Sequence, residues 1–497
     1  MRVGFVVLGA AGYMAHDNGL PSLVRAKKEL ALRGIEVELL ALADPAFFDE
    51  KRTVKSRGSA AKFFSDLNPC EFYSNSEQAI RDAVFGIPAS TSRRLDCIIV
   101  YDASWALLHS ENLSMVLFST NERTFYLGEK PIFFDPETIR RVKQERFLQF
   151  FCDFIETSDP AVTEIKQLIK RNGYRIKDMA FWRAGSSGVK KIVGHDQAGV
   201  QGGALLDKAP HDFSISTMLL EPNEIEGFEV ASAKIHHLIP KKVGAAFEIL
   251  TAENKFVPPS SQCFDNRTDK TGSRFTLAAD GLSSCSINWK LTGGRVVPCR
   301  YLFSWLGYMG HIGEQFHNEE EKWFVSQLDS FGLTTDEWLM KEFHTGSERR
   351  CLETQARIGI ITVEDEDGQE AKFVSNFIMA DDKGSGQRAV RRWAKLYRTP
   401  KPGELNKAKG LELNVDNAKT YREQKIKDLA DVFQRVSLSA LGVQDAKYLG
   451  TKAAFAVHES LLAARDIAVV GAQEEYGQDQ YHLDHTWDYI SKCLDGR

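Results

Sequence analysis

The chain has 497 residues, too many for one ordinary hydrophobic core, so at least two domains are expected. With 43% hydrophobic and 26% charged residues and a net charge of −5, it is globular in composition. Nothing global attracts nucleic acid or an anionic membrane surface, and neither is expected as a partner. The eight cysteines stand singly, with no Cys-x-x-Cys pair, which argues against a zinc cluster or a disulfide-stapled small domain and predicts reduced thiols in the cytoplasm.

The apolar run Val3 to Ala11 is too short for a signal peptide or membrane span, and no other segment is long enough either. Val3–Leu8 reads as a buried strand bounded by Gly9. A helical face follows on Leu20, Leu23, Val24 and Leu30 and stops at Gly34. Val37–Ala43 is a second strand ending at Asp44-Pro45, Cys97–Tyr101 a third, and Thr124–Leu127 a fourth, with helical sequence around 107–118 between the last two. Strand alternating with helix at this pace predicts βαβ units and a parallel sheet. A charged helix over 136–148, an apolar stretch around 150–155 and an amphipathic helix Ala161–Lys170 complete this part.

Beyond Tyr174 alternating strands dominate: Phe228–Ile235, Ser273–Ala279, Ser284–Lys290, Arg357–Val363 and 370–377, which predicts a largely antiparallel sheet. Residues 300–350 read as aromatic and helical, and the basic, Gly- and Pro-punctuated stretch 383–409 reads as an exposed excursion. The chain returns to helix near its end, with Ile426, Leu429, Val432, Phe433 and Val436 on one face. The domain boundaries expected are 1–173, 174–415 and 416–497, the last a set of helices packing on the other two.

Three groups of residues carry chemistry. Gly9-Ala-Ala11-Gly12-Tyr13-Met14-Ala15 follows the first strand and opens a helix. A dinucleotide needs glycine there so that the turn is tight and the backbone can reach the pyrophosphate, while the helix N-terminus offers N–H groups to it. A plain glycine-rich turn would use the same residues. Asp44 closes the second strand, where a carboxylate can accept from the adenosine ribose hydroxyls; it lies farther from the glycines than the usual ~20 residues. Its charge favours NAD, the nearby Lys51 and Arg52 leave NADP open, and Asp-Pro is equally a good helix N-cap.

Gly128-Glu129-Lys130-Pro131 follows the fourth strand, where strand ends face a ligand crevice. A lysine there can steady an alkoxide, and the proline bond is a candidate for cis. In Gly202-Gly203-Ala-Leu-Leu-Asp207-Lys208-Ala-Pro-His211, Asp207 and His211 are four apart and share a helix face. A histidine beside a carboxylate is a suitable proton acceptor near neutral pH. Arg183, ending a strand just before, can meet a substrate hydroxyl or carboxylate, whereas His482-Leu-Asp-His485 reads as a solvated tail.

Taken together, Gly9–Ala15, Ala43-Asp44-Pro45, Glu129-Lys130-Pro131 and Gly202–His211 resemble the pattern of the glucose–fructose oxidoreductase/inositol dehydrogenase (Gfo/Idh/MocA) family. The resemblance is strongest over 1–220. It implies an α/β protein: a Rossmann domain with a doubly wound parallel sheet, then an α/β domain with a large open, mostly antiparallel sheet. It further implies an NAD(P)-dependent oxidoreductase acting on a secondary hydroxyl or ketone of a polyhydroxylated small molecule (a sugar, cyclitol or glycoside), and a homo-oligomer. Lys130, Asp207 and His211 would be catalytic and, with Arg183, bind substrate. Gly9, Ala11, Gly12, Tyr13, Met14, Asp44, Ala103, Ser104, His109, Glu129 and Lys130 would bind the cofactor. No metal is implied. Departures fall on the substrate side: Asp102-Ala103-Ser104-Trp105 replaces the family's Thr-Pro-Asn-like turn, Ala209 replaces a common glycine, Lys208 adds a charge, and 235–415 is unusually long. An NAD-dependent glycosidase or lyase using transient oxidation would employ the same residues, and a cofactor-sensing regulator the same scaffold.

Overall fold

The computed structural model describes residues 1–12, 14–50, 53–68, 70–85, 95–104, 108–118, 123–145, 150–185, 203–235, 282–304, 308, 319–346, 349–376, 379–381, 388–390, 392–398, 410–416 and 418–476. The expected strand Ser273–Ala279, Lys51, Arg52, the His482–His485 pair, Gly202 and Tyr13 lie outside them. The chain divides into two compact units, one of 1–159, 221–223 and 422–462, the other of 160–220, 224–421 and 463–497. The division at Asp159/Pro160 precedes the helix Pro160–Arg171, and the C-terminal residues are shared between the units.

The first unit holds a six-stranded parallel sheet of β1 (Arg2–Leu8), β2 (Glu36–Ala43), β3 (Glu71–Tyr73), β4 (Cys97–Asp102), β5 (Thr124–Gly128) and β6 (Phe150–Cys152), in the order β3-β2-β1-β4-β5-β6. Every pairing is parallel. A parallel sheet covered on both faces demands strands apolar along their whole length, and β1 and β4 are buried almost without interruption. The strand order turns back between β1 and β4, so the crevice at their carboxyl ends is the topological switch point. Three-residue β3 was not legible as a strand, so the segments numbered third and fourth from sequence are β4 and β5. The charged helix ends at Lys143, short of 148, and the apolar stretch after it is β6. Helix Tyr421–Ala440 packs on this sheet: Leu429, Val432, Phe433 and Val436 are buried, and Phe433 meets Phe5 at 5.6 Å and Tyr101 at 5.0 Å between ring centroids.

The second unit is built on a nine-stranded sheet of β7 (Arg175–Gly185), β8 (Ile225–Ile235), β9 (Leu282–Leu291), β10 (Val296–Ser304), β11 (Met340–Gly346), β12 (Arg349–Glu364), β13 (Glu370–Asn376), β16 (Trp393–Arg398) and β17 (Leu411–Glu412). β14 (Met379–Asp381) and β15 (Arg388–Val390) form a separate ribbon. All pairings in the large sheet are antiparallel except β7 with β10. Part of the presumed excursion 383–409 therefore belongs to the sheet: Trp393, Ala394, Leu396 and Tyr397 are buried, so this basic stretch hides an apolar edge that its charges mask. The 300–350 region is mixed, with β10, helices Glu319–Ser330 and Thr335–Trp338, and β11.

One face of the sheet carries helix Gly203–Leu220, whose Phe213 packs at 4.6 Å from Tyr301. The opposite face is covered by the helices over 319–338: Trp182 lies 5.6 Å from Phe324 and 5.4 Å from Trp338, in a cluster with Leu302, Leu328 and Ile358. The middle strands are thus buried on both faces. The segment after β10 supplies the second of these layers, an aromatic one built on Phe324 and Trp338.

Candidate functional site

The glycine turn sits at the end of β1. Gly9 has φ +65°, and a Cβ on it would lie 2.6 Å from Ser104 Cα and 2.7 Å from Ala103 O. No side chain fits, so the turn presses directly on the backbone after β4. Gly12 N donates to Gly9 O at 3.0 Å and accepts His16 N on its carbonyl at 2.9 Å; Gly12 itself is exposed. Met14 begins a π-helical turn, Met14–Gly19, that leads into helix Leu20–Ala31.

Asp44 does two jobs at once. Its Oδ1 accepts from Ala46 N at 2.8 Å, capping the short helix Pro45–Phe47, and its Oδ2 accepts from Ala11 N at 3.1 Å. The carboxylate therefore ties the end of β2 to the glycine turn, and its remaining lone pairs suit a diol. The N-cap and the contact with the glycine turn therefore coexist on one side chain rather than compete.

A buried network joins the ends of β4 and β5. Asp102 is wholly buried and accepts from Ser104 N (3.0 Å), Asn112 Nδ2 (2.8 Å) and Tyr126 OH (2.8 Å). Burial, then the Asp102 charge, pushes the Tyr126 phenol well up, so it stays a donor. His109, also buried, places Nδ1 2.9 Å from Pro131 O and Nε2 3.2 Å from Ser104 O, bridging the two loops. The Lys130–Pro131 bond is cis.

The next residue, Ile132, is held from both sides. Its carbonyl accepts from Ser110 Oγ at 2.8 Å, and its N–H donates to His458 Nε2 at 2.9 Å. His458 Nδ1 lies 2.7 Å from Ala454 O; burial pulls this histidine down to about 4, so it is neutral, with its proton on Nδ1 toward Ala454 and its Nε2 lone pair toward Ile132. Glu129 is buried as well, its N–H on Asp102 O and its Oε1 receiving Tyr101 OH at 2.9 Å. Half-buried Lys130 thus stands on a turn fixed by Tyr101, His109, Ser110 and His458. His458 carried no sequence signal: a lone histidine in an apolar helix, distant in sequence, matches no motif.

In the second unit, Asp207 and His211 lie on helix Gly203–Leu220 as expected. Over 204–220 that helix is buried everywhere except at Asp207, Lys208 and His211. At roughly 100° per residue the three span an arc of about 100°. They form one polar window in an otherwise enclosed helix. Arg183, inside β7 rather than at its end, is buried with Asp212: its Nε and Nη2 lie 2.9 and 2.7 Å from Asp212 Oδ1. Its guanidinium is engaged by the neighbour of His211, a pairing that no spacing argument revealed. Among the described residues no three His, Cys, Asp or Glu side chains form a metal-ligand cluster, and no helix is long and apolar enough to cross a membrane.

No protein-family model and no curated protein sequence matches the chain. Solved structures do match it. A levoglucosan dehydrogenase in complex with NADH and L-sorbose is 13% identical, with 95% of this chain and 97% of that one covered and a TM-score of 0.50. A myo-inositol dehydrogenase from Corynebacterium glutamicum ATCC 13032 is 12% identical over 95% and 98%, with a TM-score of 0.49. GenD2 from gentamicin A biosynthesis, in complex with NAD, is 14% identical over 95% of each chain, also at 0.49. At such identity the likeness is one of fold alone, and in this chain that fold is a parallel sheet in the order β3-β2-β1-β4-β5-β6 followed by a large, mostly antiparallel sheet.

Proposed function

We propose that the protein is an NAD(P)-dependent oxidoreductase acting on a secondary hydroxyl or ketone of a sugar, cyclitol or glycoside. The observation that carries this reading is the glycine turn: Gly9 is packed so tightly on Ser104 that a Cβ would be expelled, with the carboxylate of Asp44 beside it. That cradle suits a pyrophosphate near Gly9, Ala11 and Gly12, and a ribose diol at Asp44. Tyr13, Met14, Ala103, Ser104, His109 and Glu129 complete the proposed cofactor set. Ser104 and His109 shape it through the backbone they hold, and Glu129 through the turn beneath Lys130. A bound nicotinamide dinucleotide supplies the hydride acceptor or donor.

The chain's own residues supply the rest. Lys130, on its clamped turn, donates to the substrate oxygen and steadies the alkoxide. His211 takes the hydroxyl proton, and Asp207, one helical turn earlier, stabilises the imidazolium that results. Lys208 adds positive charge to the same window. The levoglucosan dehydrogenase neighbour, holding NADH and L-sorbose, agrees with a polyhydroxylated substrate. A cytoplasmic enzyme accords with the free Cys70, Cys97, Cys152, Cys285 and Cys299. A homo-oligomer would have to use a surface other than the middle of the nine-stranded sheet. The test is a screen of sugars and cyclitols for NAD and NADP reduction by the purified protein. NADH that accumulates in proportion to substrate supports a dehydrogenase; turnover without net NADH indicates transient oxidation followed by elimination.

A further inference from the structure

Beneath the turn that presents Lys130 lie two acidic side chains, both buried: Glu129, at the end of β5, and Asp153, just after β6. The backbone forces them together, because Asp153 N–H donates to Gly128 O at 2.8 Å while Glu129 N–H donates to Asp102 O at 2.9 Å. Glu129 Oε1 receives Tyr101 OH. Asp153 Oδ1 is sealed from solvent and meets no donor, although the Glu129 carboxyl is within hydrogen-bonding reach. Two ionised carboxylates cannot share such a place. One proton between them resolves both facts, since a protonated acid donates where a carboxylate can only accept.

We propose that Asp153 and Glu129 form a monoprotonated carboxyl pair, in which Asp153 Oδ1–H donates to the Glu129 carboxylate and fixes it below the Lys130 turn. Asp153 is then a positioning residue. With Tyr101 and Asp153 both donating to it, Glu129 is held down by two hydrogen bonds, and the turn rests on one negative charge instead of two. Its bearing on catalysis rests on the role of Lys130 proposed above.

The surroundings agree. Burial first, and then the Glu129 charge, pushes the Asp153 acid well above the ordinary carboxyl range; Glu156 adds to this and Lys425 opposes it. Arg435, on helix Tyr421–Ala440, also feels Asp153, but its guanidinium is occupied by Asp431, Thr157 and Ser158. Tyr101 and Cys152, the other titratable groups packed on the pair, are both pushed well up by burial and so remain neutral.

The experiment is infrared spectroscopy of the full-length protein at neutral pH, in H₂O and D₂O, for wild type, Asp153→Asn and Glu129→Gln. The wild type should show the carbonyl stretch of a protonated carboxylic acid that shifts in D₂O. The band should vanish in Asp153→Asn and move in Glu129→Gln, where the proton's acceptor changes from carboxylate to amide. No such band in the wild type, or a band that persists unchanged in Asp153→Asn, overturns the pair. Once a substrate is known, Asp153→Asn, whose amide N–H still donates to Glu129, should keep roughly tenfold more kcat than Asp153→Ala, as expected for one donor to a charged acceptor. Equal losses in the two variants would overturn the positioning role. The infrared result requires no substrate, so a present band with a fully active Lys130→Ala would sink the reading of Lys130 and leave the pair standing.

Discussion

His458 makes the support of the Lys130 turn sensitive to acid. It is fully buried and neutral, with its Nε2 lone pair on Ile132 N–H, and its folded-state value is about 4 against an ordinary 6.5. The unfolded chain therefore binds a proton between those values that the folded chain refuses, so stability is complete above about 6.5 and is lost as pH falls toward 4. At ~1.4 kcal/mol per pH unit the loss from this one group is about 3 kcal/mol. Replacing it by glutamine, which can still accept from Ile132 N–H through its amide oxygen, should remove that pH dependence at a modest cost at pH 7, on the order of 1–2 kcal/mol for changed packing. The described tryptophans all lie in the second unit, so hydrogen exchange of the segment 124–134, measured from pH 7 to 4.5 and corrected for intrinsic rates, is the better assay. Wild type should lose protection there on acidification, and His458→Gln should lose distinctly less. Parallel profiles would show that His458 does not carry the acid sensitivity, and the argument from its buried neutral state would fail.

Other outcomes follow from the same geometry. Lys130→Ala should lower kcat on the order of 10²–10³-fold with little change in cofactor affinity, because the ammonium acts on charge that develops in the transition state; near-normal kcat would exclude it. His211→Asn should cost ~10²–10⁴ in rate and abolish the rise of oxidation with pH, whereas Asp207→Asn should be milder; an unchanged inflection in His211→Asn would place the base elsewhere, Lys208 or Tyr13 being next. Arg183→Met should destabilise the protein by up to about 3–5 kcal/mol, since Asp212 loses the buried guanidinium that it pairs with, and Arg183→Met with Asp212→Leu should recover most of it; a raised KM at full stability would instead make Arg183 a substrate contact. Asp44→Ala should weaken NAD more than NADP in fluorescence titrations. The ratio is the criterion, because Asp44 also holds Ala11 N–H and both affinities will fall.

The parallel sheet was legible because its strands are apolar along their length and punctuated by glycine and Asp-Pro, local signals that need no partner to be read. The same holds for the Asp207–His211 spacing, for Gly9 and for the lysine after β5: each rests on a handful of consecutive residues. β3 escaped because three residues of mixed polarity, Glu71-Phe72-Tyr73, make no pattern, and β16 because its flanking lysines and arginines outweighed its buried Trp393, Leu396 and Tyr397. The ties that hold the candidate site are of another kind. His458 reaches Ile132 from a remote helix, Asp153 meets Glu129 across two neighbouring strands, and Arg183 finds Asp212 between a strand and a helix. Each of His458, Asp153 and Asp212 looks ordinary in its own stretch of chain. What gives it a purpose is burial, which makes an unpaired donor or charge costly and so selects its partner, and burial exists only once the chain has closed on itself.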